Sequence, residues 1–371
     1  MRILSAIGLF LMCSCTVIKF AKNQNIIPKA ACASIGNYPQ PYFEVELQGK
    51  KKLFLFDTGA TGTVLTDSTA IENFTNKKFA TFGTHVSANG VKKKNRFLTA
   101  GFKSPLFESA QKLLLYSPMP TSMCSKSSEM AGILGIDAFF QDDMPLFLNF
   151  SKNEICNIET TLLQNQVSQG FKAIKSECKN NQIFVFIDIE GKMLKFKLDT
   201  GFSGSVIIPF SDKLQFTNPN YMVLQGSTYN TLSSMTAGTE TFYEKMPVDF
   251  AGEKFEAKIN VSSTIKSQNL GIQFMKGYDW IIDFKNNKVY IRRNANIIDR
   301  TFSRRISYYA KAVSSELVIV TKEKSQDKYN LGDKIISVNG QKVNHENVCE
   351  IQEYLNKTED WNALQLEVHA K

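Results

Sequence analysis

The residues best suited to chemistry are two aspartates, each set in the same local sequence. Residues 53–65 read LFLFDTGATGTVL and residues 195–207 read KFKLDTGFSGSVI. Aligned on Asp57 and Asp199, both copies run from a strand-like apolar stretch into Asp-Thr-Gly and out into a second apolar stretch. A simple turn tolerates many sequences, so a repeat of this length points to a shared task. A carboxylate among apolar neighbours is costly as a lone anion and needs hydrogen-bond donors. Gly59 and Gly201 let each loop fold tightly enough to offer N–H groups. If the two loops meet, like charges keep both acids from ionising together, and one proton is shared. One oxygen can then act as base toward a water while the other acts as acid toward a carbonyl, with no covalent nucleophile.

Each copy has a matching downstream segment. Ile133-Leu134-Gly135-Ile136 follows the first, Asn269-Leu270-Gly271-Ile272 the second, and LNFSKNEI (148–155) and IDFKNNKV (282–289) follow in turn. In this order of motifs the chain resembles the bilobal aspartic proteases of the pepsin and retropepsin superfamily, over roughly residues 35–293. The resemblance implies a mainly β fold of two pseudo-symmetric barrel lobes. It implies catalysis by Asp57 and Asp199, with Thr58, Gly59, Thr200 and Gly201 supporting the loops and the threonines hydrogen-bonding across them. No cofactor or metal is expected, and the implied substrate is a protein or peptide. Pepsin-like members carry a hydroxyl residue three positions after each Asp, whereas Ala60 and Phe202 stand there in this chain. Loss of donors to the ionised form raises carboxyl pKa values, so an activity optimum nearer neutrality than pepsin's is expected. The alternative is a peptide-binding or scaffolding lipoprotein whose protease lobes no longer cleave.

The rest of the chain must position this pair. Its 371 residues give a prior of two domains or more, and an apolar fraction of 43% suits a sizeable core. The net charge of +9 is spread along the sequence, with only short runs such as Lys92-Lys93-Lys94. A nucleic-acid binder would show a clustered basic stripe, so a solvated Lys-rich surface is expected and nucleic acid is not.

Residues 1–20 have the shape of a signal peptide, Arg2 followed by a short apolar run. Cys13-Ser14-Cys15 resembles a bacterial lipobox, which implies lipidation of Cys15, an exported protein and an anchor to membrane. The competing reading is an ordinary cleaved signal. Residues 21–35 are expected to be a tether, 36–160 the first lobe, 161–180 a connector and 181–295 the second lobe. YFEVELQGKKKLFLFDTG and IFVFIDIEGKMLKFKLDTG alternate apolar and polar residues around Gln48-Gly49 and Glu190-Gly191, as hairpins do. Residues 81–102 form another hairpin about Asn89-Gly90. It lies where the family places its flap, and a flap and a plain surface hairpin remain equal alternatives. Tyr278 and Trp280 are expected in core or edge packing rather than against substrate.

Five cysteines remain outside the signal region, and one or two disulfides are expected with no deducible pairing. The three histidines, His85, His345 and His369, lie in no nucleophile motif. Residues 300–371 form a separate α+β unit. Within it Leu331-Gly332-Asp333-Lys334-Ile335-Ile336 and Asn339-Gly340 resemble the centre of a PDZ domain. That implies a helix over 345–357, a closing strand over 363–369, and capture of a peptide C-terminus by strand addition. The carboxylate loop would lie near Thr301-Phe302-Ser303.

Overall fold

The computed structural model describes residues 26–36, 40–70, 82–118, 124, 130–139, 144–230, 235–301 and 307–371. The signal segment and Cys15 lie outside them, as do Phe302 and Ser303.

Two short strands, β1 (Ile27–Pro28) and β2 (Cys32–Ser34), precede the first lobe. In β3 (Tyr42–Leu47) Phe43, Val45 and Leu47 are buried, with Glu44 exposed between them, a period-two pattern with one face in the core. Gln48 and Gly49, with φ of 51° and 81°, make the left-handed turn into β4 (Lys50–Asp57). Such turns match the right-handed twist of the flanking strands. The lobe continues through β5 (Val64–Leu65), β6 (Phe82–Val86), β7 (Lys92–Lys103), β8 (Phe107–Tyr116) and β9 (Met130–Gly135). The order β8-β5-β9-β4-β3-β7, with β7 paired back to β8, closes a six-stranded barrel.

Next come β10 (Leu146–Asn149), β11 (Glu154–Asn157), α1 (Thr160–Val167), β12 (Lys172–Ile174) and β13 (Ser176–Lys179). The second lobe repeats the plan. Glu190 and Gly191, with φ of 50° and 77°, turn β14 (Gln182–Ile189) into β15 (Lys192–Asp199). The strands β16 (Val206–Pro209), β17 (Tyr221–Asn230), β18 (Met235–Phe250), β19 (Glu253–Ser262) and β20 (Asn269–Gly271) follow. The order β14-β15-β20-β16-β19-β18, with β14 paired to β18, closes the second barrel. After α2 (Ile272–Met275) come β21 (Tyr278–Asp283) and β22 (Lys288–Arg293).

A separate six-stranded sheet, β12-β22-β21-β10-β11-β2, ties the lobes together. At its centre β10 and β21 pair antiparallel, Phe147 opposite Ile281 and Leu148 opposite Trp280. These strands come from the matched hairpins seen in the sequence, whose turns carry Asn153 and Asn287 at φ of 54° each. Tyr278 and Trp280 are buried in the core, the indole donating to the Met275 carbonyl at 2.8 Å. The stretches expected as tether and connector are partly built into the sheets. β1 pairs with β8, and β2 pairs with β11 and is bonded to it by the Cys32–Cys156 disulfide. β12 pairs with β22 and β13 with β14. Their polar sequence hid this, because an edge strand needs only one buried face.

The last segment has its own core around Tyr308, Leu317, Ile319, Ile335, Leu355 and Trp361. It comprises β23 (Tyr308–Val313), β24 (Glu316–Glu323), β25 (Lys334–Val338), β26 (Gln341–Lys342), α3 (Val348–Lys357) and β27 (Leu366–His369). Among the described residues it is held to the lobes by β24, which pairs antiparallel with β17, and by the disulfide between Cys124 and Cys349.

Candidate active site

The barrels bring Asp57 and Asp199 to one place by the same local device. Asp57 ends β4, which runs parallel to β9 with Gly135 opposite it, while β5 leaves antiparallel along β9. In the second lobe Asp199 ends β15 opposite Gly271 on β20, and β16 leaves antiparallel. The glycines of the hydrophobic-Gly segments are required by space. A Cβ on Gly135 would collide with the Gly62 main chain, and one on Gly271 with the Gly204 carbonyl and the Phe202 ring.

The two aspartates face each other. A Cβ on Gly59 would lie 2.5 Å from Asp199 Cγ, and one on Gly201 would strike Asp57 Cγ in the same way. Thr58 and Thr200, both fully buried, lock the loops. Thr58 N–H donates to Thr200 Oγ1 at 3.0 Å and Thr200 N–H to Thr58 Oγ1 at 3.1 Å. The hydroxyls then donate across the lobes, Thr58 to the Leu198 carbonyl at 3.0 Å and Thr200 to the Phe56 carbonyl at 2.8 Å.

Main-chain donors reach both acids. Asp57 Oδ1 accepts from Gly59 N–H at 2.7 Å and Ala60 N–H at 3.2 Å, and Asp199 Oδ1 accepts from Phe202 N–H at 3.0 Å. Burial, reinforced by the charge of Asp199 and the hydrogen bond between the two side chains, pushes the Asp57 carboxyl up to about 7. The Lys197 ammonium and the Gly59 N–H pull the other way. The pair is thus built to hold one proton between two acids.

Four residues that motif reading passed over complete the site. Gln40 Nε2 donates to the Gly201 carbonyl at 2.5 Å, and Lys197 Nζ donates to the Gly59 carbonyl at 3.2 Å. Each loop is therefore held by a side chain of the other lobe. Asn269 Nδ2 donates to Asp199 Oδ2 at 2.6 Å, and Ser267 Oγ donates to Asn269 Oδ1 at 3.0 Å. The signal was available: polar Lys197 and Asn269 stand where the first lobe has Leu55 and Ile133. Phe202 does not fill the cleft, because its ring packs back over Gly204 and Gly271.

The hairpin of β6 and β7 reaches across to the second lobe. Its tip carbonyl, of Ala88, accepts from Lys266 N–H at 2.8 Å, and Asn89 Nδ2 donates to Thr236 Oγ1 at 2.7 Å. Gly90, with φ of 81°, supplies the left-handed turn residue. Val86 and Val91, flanking the tip, are exposed.

Residues 37–141 match the family model of the retroviral aspartyl proteases. The first lobe is similar to that family, and the chain folds as two closed six-stranded barrels. No curated protein matches it. Among solved structures it is similar to conglutin gamma, a basic 7S globulin from lupine seeds. That match has a TM-score of 0.44 and 8% identity, over 73% of this chain and 96% of that one.

Other chemistry finds less support among the described residues. His345 and His369 are exposed on the last domain. The one grouping of Cys, His, Asp and Glu side chains close enough to hold an ion is Cys32, Glu154 and Cys156, whose sulfurs are consumed in a disulfide. No described helix is long and apolar enough to cross a membrane.

In the last domain, Asn339 and Gly340 make the expected left-handed turn, and α3 and the closing strand lie within the stretches expected for them. The edge of β23 beside α3 is occupied. Asn356 Oδ1 accepts from Ala310 N–H and its Nδ2 donates to the Ala310 carbonyl, both at 2.9 Å, as a strand partner would. Gln352 Oε1 accepts from Ala312 N–H at 2.6 Å.

Proposed function

We propose that the protein is an aspartic endopeptidase that hydrolyses peptide bonds with a water activated by Asp57 and Asp199. The observation that carries this reading is the face-to-face pair itself, with Asp57 held near 7 beside its partner acid and the loops locked by Thr58 and Thr200. The ionised carboxylate removes a proton from the water as its oxygen bonds to the scissile carbonyl carbon. The protonated acid gives its proton to the carbonyl oxygen, so a neutral gem-diol forms. Return of a proton to the amide nitrogen lets the C–N bond break, releasing a carboxylic acid and an amine. A closing role over substrate for the β6–β7 hairpin is consistent with its tip reaching the second lobe at Lys266 and Thr236.

The reading extends to export and to lipidation at Cys15. Two disulfides suit an oxidising compartment. Capture of a peptide end at the last domain would use the β23 edge, so Gln352 and Asn356 must first release it.

One observation favours the non-catalytic reading: the hairpin tip is hydrogen-bonded to the second lobe at Lys266 and Thr236. Incubating unfolded protein and a peptide library with the wild type, Asp57→Asn and Asp199→Asn separates the two. Cleavage by the wild type alone supports the endopeptidase, and equal cleavage by all three, or by none, removes it.

A further inference from the structure

The two halves of the site differ at the strand pair that lies just before each aspartate and its facing glycine. On β4 and β9, Leu55 lies opposite Ile133, an apolar pair suited to a barrel interior. On β15 and β20 the equivalent pair is Lys197 opposite Asn269. Asn269 is fully buried, and a buried amide is costly unless its groups are bonded. Here both are bonded, to Ser267 and to Asp199. The Ser267 hydroxyl donates to Oδ1, and Nδ2 faces Asp199 Oδ2.

An amide N–H can only donate. Both Asp199 oxygens therefore accept, Oδ2 from Asn269 and Oδ1 from Phe202 N–H. Asp57 takes its two main-chain donors on Oδ1, leaving Oδ2 for a proton. The charged groups acting on Asp57 are Asp199 and Lys197. Asp137, two residues beyond Gly135, is engaged instead with Lys112 and Thr63.

We infer that Asn269, oriented by Ser267, is the positioning residue that holds Asp199 as the ionised base and leaves the shared proton on Asp57. It supplies from β20 the donor that the sequence lacks at position 202, where Phe202 has no hydroxyl. The inference rests on the endopeptidase reading for its catalytic meaning, but the placement of the proton is independent of turnover.

The test follows the carboxyl carbons of Asp57 and Asp199 by NMR across pH in the full chain, assigned with Asp57→Asn and Asp199→Asn. It compares the wild type with Asn269→Leu and Ser267→Ala. In the wild type Asp199 should ionise first. In Asn269→Leu that first step should move up by about one pH unit, the scale of a lost donor to an ionised carboxylate, and Ser267→Ala should move it less in the same direction. For peptide cleavage, the acidic limb should shift with it, so that kcat at a given pH well down that limb falls about tenfold, with KM changed less than about twofold. Should Asn269→Leu fail to fold, Ser267→Ala carries the comparison. A first ionisation on Asp57, or a titration unmoved by either substitution, overturns the inference. A shifted titration in a protein that cleaves nothing upholds it and removes the endopeptidase reading alone.

Discussion

Thr58 and Thr200 hold each other across the two lobes, the hydroxyl of each accepting the main-chain N–H of the other at 3.0 and 3.1 Å. Each hydroxyl also donates to a buried carbonyl of the opposite lobe. Thr58→Val therefore strands the Leu198 carbonyl and the Thr200 N–H in a dry interior. Such orphaned groups cost about 1–3 kcal/mol each. Thermal and denaturant unfolding should show a loss of about 2–4 kcal/mol, and Thr200→Val should match it.

The raised Asp57 carboxyl has a consequence for stability. Its folded value of about 7 lies above the ordinary range for an unfolded aspartate, about 3.9. Its contribution is complete below the unfolded value and is lost as pH rises toward the folded one, because the unfolded chain releases the proton first. The wild type should be less stable at pH 8 than at pH 5, by on the order of a few kcal/mol. Asp57→Asn should flatten that slope. A wild type equally stable at both pH values would contradict the raised carboxyl.

Among the described residues, the bridge from the first-lobe hairpin to the second lobe includes one main-chain bond and one side-chain bond. Asn89→Ala removes the side-chain bond. Hydrogen exchange at the Lys266 amide, which donates to Ala88, should then quicken by roughly tenfold, the equivalent of about 1.4 kcal/mol. No change at Lys266 would show that the hairpin is held by other means.

The disulfides give a chemical prediction. A non-reducing peptide map should recover Cys32–Cys156 and Cys124–Cys349, and Cys178 should be the one thiol among these five. Burial pushes the Cys178 thiol up to about 11, which leaves little thiolate at neutral pH. Alkylation of the native protein at pH 7.5 should be slow and should become fast on unfolding.

Much of this site was legible in the chain because its signals are local. Asp57, Thr58 and Gly59 adjoin, their copies repeat them, and the Gln48-Gly49 and Glu190-Gly191 turns follow from residues that accept positive φ. The contributions of Gln40, Lys197, Ser267 and Asn269 depend on strand register, which places residues 70 apart within 2.6 Å. The strands β2 and β12 read as tether and connector because their partners lie far along the chain. Phe202 lacks the hydroxyl expected of a pepsin-like loop, and the space left by Gly204 and Gly271 receives its ring.

The pH dependence of peptide cleavage tests most directly whether Asp57 and Asp199 work as a pair sharing one proton. Bell-shaped kcat/KM profiles report the ionisations of the free enzyme. With Asp57 held near 7, the profile should peak between about pH 4 and 7, with Asp57→Asn and Asp199→Asn reduced at least about a thousandfold at the peak. A maximum below about pH 4, near the ordinary aspartate value, or a rate that keeps rising above pH 8, would contradict the shared proton.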